Sequence, residues 1–306
     1  MSDPRPIGVF DSGVGGLTVL REILRRSPNE STIYLGDNAR APYGTRPDDE
    51  VRAFSTQSLD ALADRDVKAI VVACNTSTAV ALGGFRRRYD LPILGVVRPG
   101  AVTAALTTRN RRVGVIATPA TVRSRAYFSA IKDENPAVEV YEHATPAFVP
   151  LVEAGRLSGP DVEAAVVDAL APLLGERDAA GEFVFPLPPS ARIDTLLLGC
   201  THYPLLAPVI GRVAGDRVAI VDSATATASA LSELLAINGL EAPGTTRGTA
   251  ADAGAAGHER PDERATGPTH VQLTTGDVEA FRSVANRLFG DAFLEVGPLE
   301  LGVPAS

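Results

Sequence analysis

Short β-branched apolar runs alternate with longer stretches of helical periodicity along almost the whole chain. Neighbouring parallel strands need crossover segments between them. The alternation therefore predicts an α/β fold with a largely parallel sheet. Residues 7–10, 32–35, 69–72 and 93–97 read as strands, separated by helices over 17–26, 48–65 and 77–88. At Pro99 and Gly100 the pattern begins again. Helices are expected over 101–108, 160–174 and 224–237, and strands over 113–116, 138–141, 195–198 and 217–221. Pro119, after Thr118, suits the first position of a helix. Residues 271–274, 278–289 and 293–296 close the chain as strand, helix, strand. Two stretches break the rhythm: 176–192, with Pro186, Pro188 and Pro189, reads as a surface insertion, and 241–268, rich in Gly, Ala, Thr and charge, as a flexible one.

A weak internal repeat underlies this order. IVVACNTST (70–78) and LLLGCTHYP (196–204) share one plan: an apolar run, a small residue, a cysteine, then side chains that form hydrogen bonds. GVFDSG (8–13) and GVIATP (114–119) form a second matching pair in the same relative order. Two similar α/β halves follow, rather than a long array. A length of 306 residues suits two domains with their own cores. The net charge of −8 gives no basic footprint for nucleic acid. No apolar window is long enough to span a membrane. No charged segment followed by an apolar one precedes the first strand, so no signal peptide is expected and a cytoplasmic enzyme is.

The two cysteines, Cys74 and Cys200, carry the most chemical information. Neither belongs to a Cys-x-x-Cys pair, so metal and thioredoxin spacings are absent, and a cytosolic disulfide is disfavoured. Two small buried core residues is the bland alternative. Against it, each cysteine sits where a strand stops and a helix is about to start. Ligands of open α/β sheets bind at such strand ends, and a helix N-terminus lowers a thiol pKa. Asn75, Thr76, Thr201 and His202 add donors suited to a carboxylate, and His202 is placed to share a proton with Cys200. DSGVGGLT (11–18) satisfies neither phosphate-binding glycine pattern, but Asp11 and Ser12 at a strand end, followed by Gly13, Gly15 and Gly16, look like a small-ligand site. GDNARAPYGTRP (36–47) reads as a loop in which Tyr43 and Gly44 close over a ligand. His143, His258 and His270 are scattered, so no metal is expected. The only lysines are Lys68 and Lys132, which leaves few candidates for a Schiff-base cofactor.

Taken together, GVFDSGVGGLTVL, YLGDNARAPYGTRP, VVACNTSTA, GVVRPGA, FVPLVEAG and LLLGCTHYPLL resemble the glutamate racemases of the cofactor-independent Asp/Glu racemase family. The likeness runs collinearly over about 7–223 and resumes at LTTGD (273–277); the two insertions interrupt no motif. It implies removal of the α-proton of glutamate on one face and return of a proton on the other, with no cofactor and no metal. Two monoprotic bases are required, one charged and one neutral, and two thiols fit. By resemblance, Cys74 acts on D-glutamate with help from Asp11, and Cys200 on L-glutamate with help from His202. Asp11, Ser12, Tyr43, Gly44, Asn75, Thr76, Thr201 and His202 would hold the substrate, with Glu153 a further polar group near the cleft. The implied architecture is two similar α/β domains related by a pseudo-twofold axis, with the active site in the cleft between them. Residues 1–97 with 208–306 would form one and 98–207 the other, with hinges near 98–99 and 205–208. The implied role is supply of D-glutamate for peptidoglycan. Glutamate is the expected partner, without nucleic acid or membrane, and a homodimer is in keeping with the family. An aspartate-specific or lyase-type sibling and a non-catalytic amino-acid-binding regulator stand as alternatives. The lyase type needs only one cysteine, and loss of a thiol would favour the regulator.

Overall fold

The computed structural model describes residues 2–177, 183–184, 192–244, 267–293 and 295–302. The chain runs through β1 (Ile7–Asp11), α1 (Leu17–Arg26), β2 (Thr32–Gly36), α2 (Asp48–Ala63), β3 (Ala69–Val72), α3 (Asn75–Arg88) and β4 (Ile93–Gly95). Helix α4 (Val97–Thr107) leads into β5 (Arg112–Ala117), α5 (Pro119–Ser124), α6 (Ala126–Glu134), β6 (Glu139–Ala144), α7 (Phe148–Glu153) and α8 (Pro160–Leu174). A short antiparallel pair, β7 (Glu176–Arg177) and β8 (Phe183–Val184), precedes β9 (Thr195–Gly199), α9 (Ala207–Ala214) and β10 (Ala219–Asp222). Helix α10 (Ser223–Asn238) returns to the first half, which β11 (His270–Thr274), α11 (Val278–Phe289) and β12 (Val296–Pro298) complete.

Two parallel sheets result. The first has the order β12-β11-β2-β1-β3-β4 and the second β10-β9-β5-β6. Read from its other edge, β6-β5-β9-β10 repeats the order β2-β1-β3-β4, so the internal repeat is one topology used twice. Every residue of β1, β3 and β9 is buried, because helices cover both faces of each sheet, and such strands read as unbroken apolar runs. Helices α1, α10 and α11 pack on one face of the first sheet, and α2 and α3 on the other. Helices α7, α8 and α9 pack on one face of the second sheet, and α4 and α6 on the other.

The boundary between the halves differs from the expected one. Residues 208–222 do not rejoin the first half: β10 pairs with β9, and Val209, Ile210 and Val213 of α9 pack in the core formed by α8. The repeat explains this. Strand β10 is the counterpart of β4, and the chain crosses after each, into α4 and α10. The expected crossing at 98–99 lies in the first turn of α4, and the one at 205–208 lies wholly within the second half. Helix α4 accepts Pro99 in its first turn because amides there have no intrahelical acceptor. Most of the two insertions, 178–182, 185–191 and 245–266, lies outside the described residues. Among the described residues no helix is long and apolar enough to cross a membrane.

Candidate active site

The C-terminal ends of β1, β3, β5 and β9 meet at one cavity of about 370 Å³, the size of a small-metabolite pocket. Ser12 and Gly13 enter from β1, Cys74, Asn75 and Thr76 from β3, Thr118 from β5, and Cys200, Thr201 and His202 from β9. The loop after β2 adds Asn38, Ala41, Pro42, Tyr43 and Gly44, and the equivalent segment after β6 adds Val149, Pro150 and Glu153. Both sulfur atoms therefore border the same space from equivalent positions in the repeat. Cys74 is 4% exposed and Cys200 6%, so reagents in bulk water meet neither thiol freely.

The first thiol is built into a helix start. Cys74 caps α3, and its Sγ accepts from Ser77 N–H at 3.4 Å while its S–H donates to Ser12 Oγ at 3.6 Å. Burial and the negative charge of Asp11 push the Cys74 thiol up to about 11, against the opposing pull of Ser77 and Ser12. Cys74 thus holds its proton near neutral pH. Asp11 itself is fully buried and stands behind the cavity wall rather than on it. Its carboxyl accepts from Gly13 N–H at 2.9 Å and from the Thr201 hydroxyl at 3.4 Å. Burial raises its pKa, with His202 opposing. Asp11, expected to touch the substrate, reaches the cavity wall only through Gly13 and Thr201.

The second thiol has a histidine beside it. His202 Nδ1 lies 3.8 Å from Cys200 Sγ, and Nε2 lies 2.6 Å from Glu153 Oε1. Burial disfavours the imidazolium, but hydrogen bonds to Cys200 and Glu153 outweigh it, and the His202 pKa stands well above its ordinary value. A proton is thereby stored next to the Cys200 sulfur. The close packing needs Gly15: a Cβ there would lie 2.4 Å from His202 Nδ1 and 2.5 Å from Thr201 Oγ1.

The remaining polar groups tie the halves together across the cavity. Thr18 Oγ1 donates to Thr201 O at 3.1 Å, Thr76 and Thr118 share a hydrogen bond of 3.0 Å, and Asn75 Nδ2 donates to Tyr127 OH at 2.6 Å. Gly44 packs where a Cβ would come within 2.6 Å of Thr118 Cβ. Tyr43 lines the cavity with its ring, since its hydroxyl donates to the buried Asp37. Neither lysine borders the cavity: Lys68 is buried in an ion pair with Glu30 at 2.5 Å, and Lys132 donates to Pro136 O. Of the glycines that follow Asp11, Gly13 lines the cavity and Gly15 and Gly16 do not; of the residues expected to act on or hold the substrate, all but Asp11 line it. Thr118 was not among them, although the repeat points to it: GVIATP aligned on GVFDSG puts Thr118 opposite Ser12. Asn38, Val149 and Pro150 were also missed; nothing distinguishes a cavity-lining Val or Pro from a core one.

Fold and cavity define an α/β protein of two similar halves with both cysteines at one cavity. A family profile described as Asp/Glu/Hydantoin racemase matches residues 7–231. The chain belongs to the Asp/Glu/hydantoin racemase family. It is 43% identical over 282 residues to the glutamate racemase of Exiguobacterium sibiricum, covering 92% of this chain and 91% of that one. Glutamate racemase isoform RacE1 from Bacillus anthracis superposes with a TM-score of 0.82 at 35% identity, over 99% of both chains. The Francisella tularensis glutamate racemase, solved in complex with D-glutamate, gives a TM-score of 0.78 at 32% identity, over 98% of both chains.

Proposed function

We propose that the protein interconverts L- and D-glutamate without a cofactor, by a two-thiol 1,1-proton transfer in this cavity, and so supplies D-glutamate for peptidoglycan. The observation that carries the reading is the pair of thiols bordering one cavity from equivalent strand ends. Starting from L-glutamate, Cys200 as thiolate takes the α-proton on one face, and the protonated Cys74 returns a proton on the other. The reverse direction starts with Cys74 as thiolate. Asp11, whose own pKa burial raises, assists Cys74, and His202 assists Cys200. The carbanion gains enolate character on the α-carboxylate. Its stabilisation falls to placed donors: the open amides at the start of α3 and the Ser12 and Thr76 hydroxyls.

Solvent exchange in D₂O separates the two thiols. A thiolate that removes a proton can return a deuteron to the same face, so exchange needs one thiol and racemisation needs both. Cys200→Ser is expected to keep α-deuterium incorporation into D-glutamate, and Cys74→Ser to keep it into L-glutamate. Racemisation falls by about 10²–10⁴-fold in each. Racemisation surviving in either variant would remove the two-thiol reading. Binding of glutamate by the wild-type protein without any exchange would instead favour a non-catalytic binding module.

A further inference from the structure

The motif LTTGD near the C-terminus does not itself line the cavity, yet the structure uses every polar residue in it. Strand β11 lies beside β2, with Thr274 paired to Gly36, so the motif emerges next to the loop that carries Asn38 to Gly44. At the start of that loop is Asp37, fully buried. Its Oδ2 accepts from Arg40 Nε at 2.7 Å and from the Tyr43 hydroxyl, and its Oδ1 accepts from Thr275 Oγ1 at 2.6 Å. The Thr275 hydroxyl in turn accepts from Ala39 N–H at 3.1 Å, which uses both its donor and acceptor capacity on one loop. Thr274 Oγ1 donates to Asn38 Oδ1 at 3.1 Å. Gly276 has no room for a side chain, since a Cβ would lie 2.9 Å from Asn38 Cβ, and Asp277 caps α11 through Ala280 N–H. Arg40 is held from the other side by the Phe54 ring, 4.4 Å from its guanidinium carbon.

The repeat sharpens the point. The loop after β6, the counterpart of the one after β2, continues into helix α7 and is tied from within its own half, where Thr145 Oγ1 donates to Tyr203 OH at 2.8 Å. The loop after β2 holds two short 3₁₀ turns, Asn38–Arg40 and Tyr43–Thr45, and takes its anchor from β11 and α11, which have no counterpart among the described residues of the second half.

We propose that Thr275 is a positioning residue for substrate binding: acting through the Asp37 carboxylate, it holds Tyr43 and the loop bearing Gly44 against the cavity. The inference rests on the reading of the cavity as a glutamate site. The loop encloses the ligand and carries neither thiol, so its displacement weakens binding of ground state and transition state alike. That pattern raises KM and leaves kcat in place.

Steady-state racemisation tests this with Thr275→Val and Thr275→Ser. Loss of a hydrogen bond to a charged group predicts about a tenfold rise in KM for both enantiomers in T275V, with kcat within about twofold of wild type. T275S keeps the hydroxyl and is expected to restore KM. Tyr43→Phe breaks the same hub from the loop side. Its KM effect should not multiply with that of T275V, and it serves by itself if T275V fails to fold. An unchanged KM in T275V, a fall in kcat at constant KM, a serine variant no better than the valine one, or fully multiplicative effects would each overturn the inference while the glutamate reading stands. A wild-type protein that neither binds nor racemises glutamate would overturn both.

Discussion

His202 is buried between a thiol and a carboxylate, so its partners rather than water set its charge. The direction of its pKa shift has a consequence for stability. In the unfolded chain the imidazole titrates near 6.5, and in the folded protein well above that. Below about pH 6.5 both states bind the proton and the stabilising contribution is complete. As pH rises toward and through the folded value, only the native state holds the proton, and stability falls by up to about 1.4 kcal/mol per pH unit. Urea unfolding of wild type and His202→Gln, followed from pH 6 to pH 9, should show the wild-type advantage shrinking as pH rises. Cys74, pushed up to about 11, adds its own alkaline loss only above its ordinary value of 9.0, at the end of this range. A gap that stays constant or widens with pH would mean that His202 is not the charged partner of Glu153 and Cys200.

At the scale of elements, the second crossing between the halves depends on one cap. Asp222 ends β10 and its carboxyl accepts from Ala224 N–H at 2.8 Å and Thr225 N–H at 3.4 Å, which starts α10. Asp222→Ala is expected to lower unfolding free energy by about 0.5–2 kcal/mol in a denaturant titration, whereas Asp222→Asn should recover most of it. Equal losses in both variants would exclude the cap as the cause. This crossing was not legible where sequence reasoning put it. The Leu205–Pro208 stretch has the look of a linker, but Pro208 sits in the first turn of α9, where proline starts helices rather than separating domains. Strands β1, β3 and β9 were legible because sheets covered on both faces leave unbroken apolar runs, and the thiols because each stands at a strand end, whereas the last strand, read at 293–296, begins only at Val296 after a 3₁₀ turn. Helix α7 was not legible. It is short, contains Pro150, and owes its helical state to the packing of Phe148 and Val152 against Tyr203 and its neighbours rather than to propensity.

For the whole molecule, the question is whether two similar halves behave as one cooperative unit. The crossing helices argue that they do. Helix α4 packs on the second sheet through Val97, Ala101 and Ala104, α10 packs on the first beside α1, and Gly100 lets the two approach where a Cβ would lie 3.0 Å from Ser223 Cβ. Leu288 of α11 packs against the cores of both halves. A ligand enclosed between the halves is bound only by the assembled state, so it must stabilise both together. At D-glutamate a hundredfold above its dissociation constant the gain is about 2.7 kcal/mol, which for a chain of this length moves a single melting transition upward by about 4 °C. Calorimetry should therefore show one transition that shifts as a whole. If two transitions appear and only the one belonging to a single half responds to D-glutamate, the cavity is not shared in binding, and the two thiols do not act on one molecule.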